Sequence, residues 1–161
     1  WALNLALKYQ IEGRSAAYNA KLKLADKLIY KKWREAIGGT WDIVISGGSA
    51  IRPEIASFFS AIGMPVFEGY GLTETSPVIS VHNREPKGRK IGTVGRPLAG
   101  IEVKVNPETS ELLCRGHNIM KGYYKAPDLT AEAIDADGWF HTGDNAKIDE
   151  KLYLGDDKSE N

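Results

Sequence analysis

A single cysteine, Cys114, and two methionines stand in 161 residues. A lone thiol rules out an internal disulfide framework and suits a reducing compartment, so a cytoplasmic setting is expected. Long apolar runs are missing as well: none approaches the ~20 residues that cross a bilayer. The N-terminus has no basic region followed by an apolar core, the mark of a secretory signal. Charge of one sign is not in excess, with 21 Lys+Arg against 21 Asp+Glu, which gives no electrostatic ground for a nucleic-acid partner. The histidines, His82, His117 and His141, are far apart and have no Cys or His neighbour at metal-ligand spacing, which argues against zinc. Internal repeats and low-complexity tracts are also absent. The chain starts at Trp1, within a helical pattern and without Met, and ends on Asp156-Asp157-Lys158-Ser159-Glu160-Asn161. An internal piece of a longer protein is therefore expected.

The composition from Trp1 to Tyr18 favours helix, with a break at Gly13. Leu22, Ala25, Leu28, Ile29, Trp33, Ala36 and Ile37 then fall on one helical face, and Gly38-Gly39 supplies a stop. The opposite face, with Lys27, Lys31, Lys32 and Arg34, is read as solvated, and it leaves a peripheral membrane contact open. The run 41–46 predicts a buried strand leading into Gly47-Gly48-Ser49. Pro53 starts the next helix, whose predicted inner face is Ile55, Phe58, Phe59 and Ile62. A second strand, Met64-Pro65-Val66-Phe67, completes a βαβ unit with parallel strands. Beyond Pro77 the texture is that of β-structure. Ile101–Val105 and Glu111–Arg115 predict a hairpin, 128–134 a short helix, and Ala146–Asp149 with Leu152–Leu154 a second hairpin. The expected fold class is α/β: a partial parallel sheet unit with flanking helices over 1–78, a small distorted β-barrel-like subdomain over 79–155, and a tail at 156–161.

The chemistry concentrates in Glu68-Gly69-Tyr70-Gly71-Leu72-Thr73-Glu74-Thr75-Ser76-Pro77. A ring between glycines can stack on a base, Thr73 can donate to a phosphate, and Glu74 is a hard oxygen ligand suited to magnesium. The same pattern also describes a turn with a capping threonine and a solvated glutamate. Gly47-Gly48 lets backbone approach a flat ligand, or serves turn geometry alone. Asp144 can accept from a vicinal diol such as ribose, or cap a turn. His141 shows no partner in sequence and is read as a packed or surface histidine rather than a general base. Cys114 is read as a small core residue within a strand.

In combination, four stretches resemble the adenylate-forming superfamily of acyl-CoA synthetases, luciferases and peptide-synthetase adenylation domains. They are Tyr70-Gly71-Leu72-Thr73-Glu74, the run 91–97 (IGTVGRP), Glu111 to Gly116 with Met120-Lys121-Gly122-Tyr123-Tyr124, and the run 138–144 (GWFHTGD). Residues 24–51 are most similar to long-chain fatty acid CoA ligases. The resemblance implies two steps: a fatty acid carboxylate attacks the α-phosphate of ATP, then the thiol of coenzyme A attacks the acyl carbon and expels AMP. It implies that Tyr70 stacks on adenine, that Gly47, Gly48, Ser49 and Glu68 belong to the nucleotide-binding set, and that Gly69 and Gly71 leave room for the reacting carboxylate. It further implies Thr73 on the α-phosphate, Glu74 on Mg2+ and Asp144 on the ribose hydroxyls, with Thr73 and Glu74 as the catalytic pair.

The departures also carry expectations. The family's Ser/Thr/Gly-rich phosphate loop would precede Trp1, and its small C-terminal domain with a catalytic lysine would follow Asn161. The 161 residues alone are therefore expected to be inactive. Where the family's hinge reads Gly-Arg-x-Lys, the tail here reads Gly155-Asp156-Asp157-Lys158. Two alternatives stand beside the fatty-acid reading: an adenylating enzyme for an aryl or amino acid, and a non-catalytic binding module, for which Asp156 is the support.

Overall fold

Ser15 opens the longest helical run, its Oγ accepting the Tyr18 N–H at 3.2 Å. In the computed structural model, which describes residues 1–39, 41–85, 87–150 and 154–156 without the Asp156 side chain, the chain divides into two compact units. The first holds Trp1–Glu68 with Lys90–Gly92, the second Gly69–Arg89 with Thr93–Asn161.

In the first unit, α1 (Ala2–Leu7) precedes α2 (Ala16–Ala25), a π-helical turn (Asp26–Tyr30) and α3 (Lys31–Ala36). The π turn alters the predicted helical face. One extra residue advances the phase by about 100°, so Tyr30 turns fully inward while Leu28 is 52% and Ile37 45% exposed. Tyr30 Oη donates to the Ala2 carbonyl at 2.8 Å and its ring packs on Trp33. Leu22, Ala25, Ile29 and Trp33 face the core as expected. Arg34 donates to Asp26 Oδ1 and to the Ile62 carbonyl, both at 2.6 Å, tying this run to the end of α4 (Pro53–Ala61).

β1 (Val44–Ser46) and the first residues of β2 (Val66–Tyr70) pair in parallel across α4, in the register Val44↔Val66, Ile45↔Phe67 and Ser46↔Glu68. This is the expected βαβ order. β1 itself is a correction: it is three residues long and open on one face, with Ile45 72% exposed. An apolar run predicts cover on both faces, and among the described residues only β2 pairs with it, along one edge. On α4, Ile62 is buried and Phe58 and Phe59 pack against the core, but Ile55 points outward at 40% exposure. The small residues Ala56, Ser57 and Ser60 take the buried face instead.

In the second unit, the last residues of β2 pair antiparallel with β3 (Ser80–Val81), and β3 with β4 (Arg96–Pro97). β5 (Ile101–Val105), β6 (Glu111–Gly116), β7 (Phe140–Ile148) and β8 (Leu154–Asp156) form an antiparallel sheet in that order. The β5–β6 hairpin lies in the expected place, and α5 (Pro127–Ala133) starts one residue early. The final hairpin is shifted: Ala146–Ile148 pair with Leu154–Asp156, and β7 runs unbroken from Phe140 rather than starting at Ala146. Residues 152 and 153 of the expected strand lie outside the described residues. Ile79, Ile101, Leu112, Cys114, Phe140, Ala146 and Leu154 make the core. Cys114 is fully buried, and burial pushes its thiol up to about 11. Among the described residues no helix is long and apolar enough to cross a membrane.

Candidate functional site

β2 delivers Tyr70 into the second unit, paired with Ser80 and accepting the Ile79 N–H at 2.8 Å. The chain then folds back on itself. A Cβ added to Gly71 would penetrate the Pro77 carbonyl oxygen and lie 2.8 Å from Val78 Cα. The volume on the Cβ side of Gly71 is therefore filled by its own loop. Gly69 meets only ordinary contact with Val81.

Thr75 stitches the turn. Its hydroxyl accepts the Leu72 N–H at 2.9 Å and lies 2.9 and 3.1 Å from the Leu72 and Pro77 carbonyls, with the residue fully buried. Of the two threonine hydroxyls in the motif, this one is spent inside the loop. Thr73 is exposed, and its hydroxyl has no hydrogen-bond partner among the described residues. A second segment props the loop from outside. Asn118 Nδ2 donates to the Thr75 and Val78 carbonyls at 3.1 and 3.2 Å, and the Met120 N–H donates to the Glu74 carbonyl at 2.7 Å. Tyr123 Oη then donates to Glu74 Oε1 at 3.0 Å, a bond that holds the phenol above its ordinary pKa.

Asp144 comes from a bulge. Glu111 faces Asn145 and Leu113 faces His141, so Thr142, Gly143 and Asp144 oppose Leu112 alone. The Thr142 hydroxyl closes the bulge by donating to the Leu112 carbonyl at 2.7 Å, and Gly143 takes φ +73. Asp144 is thereby pushed out of the ladder and exposed. It meets Tyr70, whose Oη donates to Asp144 Oδ2 at 2.6 Å. Burial and then this bond drive the Tyr70 phenol well above its ordinary pKa, so the ring is a neutral donor.

Tyr70, Thr73, Glu74 and Asp144 thus share the second unit, with Gly69 and Gly71 framing the ring. Gly47, Gly48 and Ser49 lie in the first unit, exposed, with Gly48 at φ +77, and Glu68 is buried there at the end of the parallel pairing. His141 has partners that the sequence did not reveal: Nδ1 lies 3.1 Å from Glu111 Oε2, and Nε2 3.9 Å from Asp135 Oδ2. The supports Thr75, Asn118, Tyr123 and Glu111 also escaped residue-by-residue reading. Tyr123 and Glu111 lay inside motif blocks, but a block does not say which member bonds to what. Among the described residues no cluster of three or more metal-ligating side chains occurs. A single half-buried carboxylate, Glu74, fits magnesium that takes its other ligands from phosphate and water. It does not fit an all-protein cage.

The second unit thus presents a ring, an uncommitted hydroxyl and two carboxylates near one glycine turn. Residues 7–124 match the family described as AMP-binding enzyme, and the chain belongs to that family. It is 37% identical over 88% of its length to the long-chain-fatty-acid–CoA ligase FadD15 of Mycobacterium bovis. It is 43% identical over 78% of its length to the long-chain-fatty-acid–[acyl-carrier-protein] ligase AEE15 of Arabidopsis thaliana. The chain spans about a fifth of those relatives, 23% and 18% respectively. Among solved structures, O-succinylbenzoate coenzyme A synthetase from Bacillus subtilis in complex with ATP and magnesium ion superposes with a TM-score of 0.64 at 25% identity. That match covers 78% of this chain and 29% of the other.

Proposed function

We propose that the protein serves an AMP-forming ligase that activates a long-chain fatty acid with ATP and passes the acyl group to coenzyme A. The observation that carries the reading is the junction of Tyr70 with Asp144, 74 residues apart in sequence and 2.6 Å apart in space, beside Glu74 in an AMP-binding enzyme. In this reading the neutral Tyr70 ring stacks on adenine, and the carboxylate of Asp144 accepts from the ribose hydroxyls. Thr73, with its hydroxyl uncommitted, donates to the α-phosphate as charge builds there. Glu74, held by Tyr123, takes magnesium, which supplies charge neutralisation on the phosphates. Gly47, Gly48 and Ser49 offer open backbone to the base or the acyl chain. No protein nucleophile is required, because alignment and charge stabilisation carry both steps.

Support for the long-chain substrate is the pair of relatives named for such acids; support for ATP and magnesium is the synthetase complex named for them. Pyrophosphate release by the full-length protein with palmitate, ATP, magnesium and coenzyme A tests the reading. Turnover that falls at least ~100-fold in Glu74→Ala is expected. Turnover with an aryl or amino acid and none with palmitate would sink the fatty-acid assignment, and no adenylation of any acid would leave a binding module.

A further inference from the structure

Besides the Thr142 hydroxyl, a carboxylate holds the bulge that carries Asp144. Glu111 Oε1 accepts the Gly143 N–H at 2.9 Å, and Oε2 lies 3.1 Å from His141 Nδ1. Its backbone stands opposite Asn145. Glu111 therefore grips the bulge at both flanks and at its apex. Bulged residues lose their ladder partners, and here the Leu112 carbonyl is taken by Thr142 Oγ1. The Gly143 N–H finds its acceptor in the side chain of Glu111 instead. That side chain is only 21% exposed, and His141, which lies 3.9 Å from Asp135 on its far side, keeps it from swinging away.

We propose that Glu111 is a positioning residue that aims Asp144 at the vicinal diol of the bound nucleotide. The inference rests on the ribose assignment of Asp144 made above. Glu111 does not itself reach the ligand; it acts through Gly143, the residue before Asp144. A glycine at φ +73 released from its acceptor regains a wide range of backbone conformations. The Asp144 carboxylate, which keeps its Tyr70 Oη contact, then stands on a less fixed backbone.

Calorimetric titration of the full-length protein with AMP and with 2′,3′-dideoxy-AMP reads the diol contact as a ratio of affinities. Wild type is expected to favour AMP by about tenfold or more. Glu111→Met, which fills similar space without an acceptor, brings that ratio toward one by weakening AMP alone. Glu111→Gln retains an oxygen for the Gly143 N–H and keeps the ratio. If Glu111→Met fails to fold, Glu111→Ala gives the same reading. A purely architectural role would weaken both ligands together and leave the ratio unchanged, which overturns the proposal. Asp144→Asn separates the two levels. If it collapses the ratio while Glu111→Met does not, the positioning role falls and the ribose assignment stands. If wild type shows no preference for the diol, the ribose assignment fails and the positioning role fails with it.

Discussion

The two glycine turns of this chain use glycine for opposite reasons. After β1, Gly48 sits at φ +77 with open space where a Cβ would be, so its requirement is a dihedral angle. After β2, Gly71 has no positive φ but lies against the backbone of Pro77 and Val78, so its requirement is volume. The first turn is exposed throughout, whereas the second is bound by a buried hydroxyl, a buried amide and a carbonyl taken by Met120. Only the second carries a rigid frame for chemistry. A loop whose geometry is over-determined can hold reacting groups in place before a ligand arrives.

Substitution separates the two requirements. Gly71→Ala should be the most damaging change, costing about 3 kcal/mol or more because the obstructing atoms are backbone. Urea unfolding would measure it, and a change within about 0.5 kcal/mol would mean the loop relaxes freely. An intermediate effect marks the unit to which Gly71 belongs. Cys114 lies in that unit with its thiol raised to about 11 from an ordinary 9.0. A folded-state value above the unfolded one gives stability that is complete below about pH 9 and lost as pH climbs toward 11. That loss amounts to at most about 2–3 kcal/mol. Resistance of the protein to urea should fall over that window, and Cys114→Ala should flatten the profile. Gly48→Ala should do least, about 1 kcal/mol from the dihedral alone, read in the same urea experiment. A cost as large as that of Gly71→Ala would erase the distinction between the turns.

Much of the fold was legible. Strict alternation at Ile101–Val105 gave its hairpin with β6, and two glycine-ended strands around a Pro-started helix gave the parallel pair. What stayed hidden has a common cause: geometry that a fixed period cannot express. The π turn at Asp26–Tyr30 brings Tyr30 inward out of phase, and β7 reads as a motif followed by a hairpin because three bulged residues interrupt its alternation. At the site, the residues proposed to meet the ligand, Thr73, Glu74 and Asp144, stood out because turns concentrate polar chemistry. Their supports did not. Asn118 is 43 residues from Thr75, and Tyr123 is 49 from Glu74. No local pattern encodes such a pairing.

The bulge in β7 has one further consequence. Phe140 and His141 are fixed against β6 on one side of it, and Ala146 to Ile148 against β8 on the other. Deleting one residue between them would shorten the bulge that carries Asp144 while these two pairings hold its ends. The number of residues in this stretch thus sets where the Asp144 carboxylate falls, as much as their identity does. Libraries that vary Thr142–Asp144 should exchange residues there and never insert or remove one.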